Sequence, residues 1–201
     1  MAGEDHQIKG FDGLRRAKKW LDASTRVKQI WTNENRGLKE LLAFDWPHGK
    51  DFSFDMGGQL RGGDLEGKTF LAEVKSYTHE MDLAVHFREF LTQCYVALRE
   101  KPDRSDIFMW ISWSPFQAQK WHEHATALAV QKSVLKHCSQ IFGTLDEAEA
   151  QKQIDPALIS GVSQRVWMIT LCDQQEDLVI AHEHYVHVVS LMLANDRRVA
   201  N

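Results

Sequence analysis

Asp55, Glu73 and Lys75 are the residues of this chain whose types and spacing best fit hydrolytic chemistry. Two carboxylates held close together repel each other when ionised. They are tolerated when a divalent cation lies between them or a lysine neutralises one. Carboxylate oxygens are hard ligands of the kind that take Mg2+, and a lysine amine beside them can orient a water or meet developing negative charge. For the three side chains to converge, residues 56–72 must fold back on themselves.

The stretch DFSFDMGGQLRGGDLEGKTFLAEVKSY, residues 51–77, has the pattern for that reversal. Phe52, Phe54 and Met56 alternate with Asp51, Ser53 and Asp55. Further on, Phe70, Ala72 and Val74 alternate with Leu71, Glu73 and Lys75. Period-two alternation predicts two strands, each with one apolar and one polar face. The cluster Gly62, Gly63, Asp64 and Gly67 tolerates the positive φ that a reversing chain needs. With Arg61 and Lys68 flanking the turn and a one-residue adjustment, Asp55 faces Glu73 at a Cβ separation of about 4.5–5.5 Å. Lys75 projects from the same face. The plainer alternative is an exposed hairpin carrying a Glu–Lys surface pair.

An aspartate on one strand, followed after a glycine turn by Glu73-Val74-Lys75 on the next, resembles the active site of the PD-(D/E)XK nuclease superfamily, whose fold is restriction-endonuclease-like. The resemblance spans roughly residues 11–111 and departs from the namesake pattern in having Phe54 where proline stands. It implies that Asp55 and Glu73 bind Mg2+ or Mn2+ with help from the carbonyl of Val74, that Lys75 serves the attacking water, and that the substrate is DNA. It also implies an α/β fold with an α-β-β-β-α-β core, a mixed central sheet flanked by helices, and here a helical C-terminal elaboration. Members often carry a glutamate on the first helix, and none occurs between Phe11 and Ser24. A Gln-x-x-x-Tyr signature is not matched either, because only Cys94 separates Gln93 from Tyr95. By analogy the chain reads as the cleavage subunit of a prokaryotic antiphage defence or repair system, working as a homodimer or with a partner protein. The alternative is a catalytically silent scaffold or binding subunit on the same fold.

Composition fits these readings. The chain has 201 residues, of which 43% are hydrophobic and 26% charged, as expected of one globular domain over 1–201. Its core is expected over about 11–113, with the elaboration over 114–201. No apolar run is long enough to span a bilayer, and the opening MAGEDHQIKGFDG is no secretory signal. Cys94, Cys138 and Cys172 form no Cys-x-x-Cys pair, which suits a reducing cytoplasmic setting. The net charge of −4 makes local positive charge the requirement for nucleic-acid binding. Arg15, Arg16, Lys18 and Lys19 form the most basic run, a candidate phosphate contact or equally a solvated helix face. Arg61 in the turn and His48 in the loop Trp46-Pro47-His48-Gly49 are further candidates.

Competing chemistries have less support. His122-Glu123-His124 and His182-Glu183-His184 place their histidines about 200° apart on a helix, so neither pair chelates. His184 and His187 can share a helical face, but no H-E-x-x-H or cysteine pair accompanies them. The chain has no phosphate-binding G-x-x-x-x-G-K-[ST], no G-x-G-x-x-G and no G-x-S-x-G.

Around the site the pattern predicts a loose tail over 1–10, a helix from Phe11, and a strand or further helix over Val27–Trp31. A short helix is expected over 38–44. Leu83, Phe87, Phe90, Leu91, Cys94 and Leu98 mark a helix from about Met81 to Glu100. Asp106–Trp113 reads as a strand buried on both faces. A long helix is expected from Pro115 to about Ile141, an acidic helix over 144–152, a connection over 154–161 and a strand over Arg165–Cys172. Beyond it come a turn over 173–177, a helix in the later part of 178–194, and a frayed tail from Asn195.

Overall fold

The computed structural model describes residues 2–34, 37–76 and 82–199. In chain order the elements are α1 (Ala2–Asp22), β1 (Val27–Thr32), α2 (Lys39–Leu42), β2 (Ala43–Asp45), β3 (Asp51–Ser53), β4 (Met56–Leu60), β5 (Thr69–Lys75), α3 (Leu83–Glu100) and β6 (Ile107–Ser112). They continue with α4 (Ala127–Lys136), α5 (Cys138–Phe142), α6 (Glu147–Gln153), α7 (Pro156–Arg165), β7 (Val166–Thr170), α8 (Asp173–Glu176) and α9 (His182–Val199). The main sheet has five strands in the order β1-β4-β5-β6-β7. β4 runs antiparallel to both β1 and β5, whereas β5, β6 and β7 are parallel. The protein is therefore α/β, with a mixed sheet between helices.

Each face of the sheet carries its own apolar core. On one, Leu14, Ala17 and Leu21 of α1 pack with Met56, Phe70, Ala72, Val74, Met109 and Ile111. On the other, Phe87, Phe90, Leu91 and Cys94 of α3 pack with Phe54, Leu71, Phe108 and Trp110, and α4 and α7 extend that layer. β6 is buried at all six residues. A strand covered on both faces needs no polar alternation, which is why its sequence is a continuous apolar run. The hairpin turn takes positive φ at Gly62, Gly63 and Gly67, with values of 77°, 56° and 76°.

The first strand of the expected hairpin is broken. Residues 51–53 pair with β2 as a separate two-stranded ribbon. The chain then turns, and the Phe54 amide donates to the carbonyl of Leu42 at 3.1 Å. Phe54 and Met56, expected on one apolar face, lie in the two different cores. The polar face of β5 is also covered: Leu71 is 2% exposed beneath α3.

Elsewhere β1, α3, β6 and β7 match the expected elements, though Tyr77 and Met81 lie outside the described residues. Other segments differ: the helix expected over 38–44 ends at Leu42, after which β2 begins, and the turn expected over 173–177 is the short helix α8. The helix begins at Ala2 instead of following a loose tail. The long helix over 115–141 is divided into a 3-10 turn, α4 and α5. Gln117 adopts a left-handed φ of 42°, and the extended Thr126 caps α4 by accepting the Ala129 amide. The connection over 154–161 is largely α7, because Asp155 caps the helix and Pro156 occupies its first turn. α9 runs on to Val199, past the expected fraying point. Among the described residues no helix is long and apolar enough to cross a membrane.

Candidate functional site

The site lies where β4 and β5 part. The ladder pairs Met56 with Ala72, and one step further the Asp55 amide donates to the Ala72 carbonyl at 3.1 Å. Because the chain turns away at Phe54, no strand remains to accept from Val74. The Asp55 carboxylate takes that place, and its Oδ2 accepts the Val74 amide at 2.8 Å. A buried amide left unpaired would cost roughly 1–3 kcal/mol, so this bond fixes the Asp55 side chain against β5. A strand residue directs its N–H and C=O to the same side. The Val74 carbonyl therefore lies on the Asp55 side, beyond the last ladder pair.

Glu73 and Lys75 project toward α3, away from α1. Lys75 Nζ donates to Glu73 Oε1 at 2.6 Å, with the two side chains 19% and 13% exposed. Glu73 Oε2 is buried without a hydrogen-bond partner among the described residues. Burial pushes the Glu73 carboxyl up to about 7; the charge of Asp55 acts in the same direction and Lys75 opposes it. Burial also raises Asp55, against the pull of Lys75 and the Val74 amide. Asp55, Glu73 and Lys75 thus form one electrostatic unit of two carboxyls and an amine in the half-buried cleft where β4 and β5 part.

Sequence reasoning placed a helix against the sheet here but did not single out Asp82, His86, Glu89 or Cys94. The Cys94 thiol is pushed up by burial and then by the Glu73 charge. Glu89 adds to the upward shift of Glu73. His86 is held below its usual value by burial and Lys75, against the charges of Glu89 and Asp82. The available signal was spacing: Asp82, His86, Glu89 and Gln93 form a stripe at helical period beside the apolar stripe of α3.

The candidate nucleic-acid contacts do not line this cleft. α1 packs on the opposite face of the sheet from Glu73. On that helix Arg15 bonds Asp12 at 2.8 Å, Lys18 bonds Asp22 at 2.5 Å, and Lys19 is exposed. Arg16 faces inward, to Glu176, Asp173 and the ring of Trp113. Arg61 donates to the Thr25 carbonyl at 3.1 Å and to the Tyr185 hydroxyl at 2.5 Å. The His48 amide donates to the Gln140 carbonyl, and its ring lies against Gly143.

Among the described residues no group of three His, Cys, Asp or Glu side chains is arranged to hold a metal ion. The donor set of the cleft is two carboxylates and a strand carbonyl. That set suits Mg2+, which keeps several waters and commonly takes only one or two protein carboxylates together with substrate phosphate. The unpartnered Glu73 Oε2 and the mutual repulsion of the carboxyls are the features a cation would relieve. No family model, curated protein or solved structure matches this chain.

Proposed function

We propose that this protein is a metal-dependent nuclease that hydrolyses phosphodiester bonds in DNA. The observation carrying the reading is the convergence of Asp55, Glu73 and Lys75, with Asp55 bonded to the Val74 amide and Lys75 to Glu73. With α2 and the β2–β3 ribbon between β1 and β4 set aside, the order α1-β1-β4-β5-α3-β6 is compatible with the α-β-β-β-α-β succession of a restriction-endonuclease-like core. Asp55, Glu73 and the Val74 carbonyl would hold Mg2+ or Mn2+, which when bound supplies a more acidic water and a polarised phosphate.

The chain's own groups do the rest. Glu73 must be ionised to act as a ligand, and its elevated pKa lets it hold a proton until a cation and substrate arrive. Lys75 Nζ orients the attacking water and, once Glu73 is engaged elsewhere, meets negative charge on the phosphoryl oxygens. The water oxygen forms the new bond to phosphorus and the bond to the 3′ oxygen breaks. A 5′-phosphate and a 3′-hydroxyl result, with the proton returned through solvent.

The basic residues closest to a phosphate-binding role are engaged internally or lie across the sheet, so DNA affinity is supplied by a second copy or a partner subunit. A cytoplasmic defence or repair role follows by the same analogy. Cleavage of linear and supercoiled DNA with Mg2+, Mn2+ or EDTA tests the reading. Metal-dependent cutting by wild type, lost in Lys75→Ala with the melting transition retained, supports it. Cutting that survives Lys75→Ala overturns the assignment, and metal-independent DNA binding without cutting favours the scaffold alternative.

A further inference from the structure

We propose that Arg16, Trp113 and Glu176 form a positioning unit that fixes the end of β5, and so the Lys75 amine and the Val74 carbonyl, for catalysis. The inference rests on the nuclease reading for its catalytic consequence. Its geometry stands apart from that reading.

The end of β5 is gripped from two directions. From β6, the Trp113 amide donates to the Lys75 carbonyl at 3.3 Å, one step beyond the pairing of Lys75 with Ser112. From α1, Gly13 lies so close that an added Cβ would fall 2.4 Å from the Cβ of Ser76, the residue after Lys75. Arg16 stands three positions after Gly13 and so shares its face of α1. Its guanidinium lies over the Trp113 ring, 4.6 Å from the centroid. Its Nε donates to Glu176 Oε1 at 2.8 Å, and its Nη2 reaches both Glu176 and Asp173. The indole N–H of Trp113 donates to the same Glu176 oxygen at 2.9 Å.

The three side chains therefore close a ring. The helix that touches Ser76 and the tryptophan whose amide holds Lys75 are joined through one carboxylate. Arginine suits this position because it stacks on an aromatic face and forks to a carboxylate together, which lysine cannot do. The unit sits across the sheet from the cleft, so it acts through the backbone of residues 74–76 and not on substrate.

Two measurements on Arg16→Met test this, with the milder Glu176→Gln as a second variant should the first fail to fold. The first is amide hydrogen exchange at Trp113 against Ile111. Exchange at Trp113 is expected to quicken roughly tenfold or more while Ile111, deep in β6, is unchanged. The second is DNA cleavage kinetics: kcat is expected to fall by on the order of 10–100-fold with KM little altered. Unchanged exchange at Trp113 overturns the proposal. A raised KM with unchanged kcat also overturns it, and would make Arg16 a substrate contact. If wild type does not cut DNA, the kinetic result bears on the nuclease reading and not on the unit, and the exchange result alone decides whether the unit positions β5.

Discussion

Glu73 shows how a fold changes the chemistry of a common side chain. Its carboxyl is raised to about 7, first by burial and then by Asp55. Between its ordinary value and that one, the folded protein holds a proton that the unfolded chain has released. Stability therefore falls as pH rises through this window, the reverse of the usual salt-bridged carboxylate. Glu73→Gln mimics the protonated form. Its melting curve should match wild type near pH 4.5 and show a gain on the order of 1–3 kcal/mol at pH 8. A variant no more stable than wild type at pH 8 would contradict a raised pKa. Mg2+ at pH 8 should stabilise wild type and leave the Gln variant nearly unmoved, as differential scanning calorimetry can measure. Lys75→Ala should raise the Glu73 titration further, because the amine is what opposes the shift. Carboxyl-labelled NMR reads this without any assay of activity.

At the scale of elements, β4 is held close to both of its neighbours. An added Cβ at Gly58 would fall 2.2 Å from the Gln29 carbonyl oxygen of β1 and 2.4 Å from the Phe70 ring of β5. A strand carbonyl cannot swing aside as a surface side chain can, so β1 and β4 must separate. Gly58→Ala should cost about 1–3 kcal/mol or more in urea denaturation. Gly37→Ala, where nothing lies within 4 Å, should be close to neutral. Equal stability of the two variants would refute the close approach of β1 and β4.

On the scale of the whole molecule, residues 114–201 contribute to the sheet and to the layer that covers it. β7 completes the sheet beside β6, and α4 and α7 pack on α3. α9 reaches back as well, with the Tyr185 hydroxyl donating to the Ser24 carbonyl at 3.2 Å and accepting from Arg61. A chain ending at Arg165 would leave one edge of β6 without its partner strand and expose Ile111 and Met109. It should show no cooperative thermal transition by circular dichroism. A sharp transition for residues 1–165 would establish instead that the last strand and helices are dispensable.

Local pattern carried the parts of this protein that local forces build. Apolar alternation marked β5, an unbroken apolar run marked β6, and the 3.6-residue stripe marked α3. The glycines of residues 61–68 let the chain reverse, and the register that pairs Met56 with Ala72 brings Asp55 to Glu73. Period-two alternation misled where the chain changes sheets at Phe54: the pattern persists across a break that only the Leu42 carbonyl and the ribbon of β2 and β3 explain. Contacts between distant residues decided the rest. Arg16 reads as an exposed base in its own helix, yet it meets Glu176, 160 positions away, and Trp113. Glu89 stays exposed on α3, yet its charge bears on Glu73 once α3 covers β5. The proton affinity of Glu73 depends on how completely helix and sheet exclude water around it. Desolvation and charge proximity are sums over neighbours brought together by the whole fold, and no window of sequence contains them.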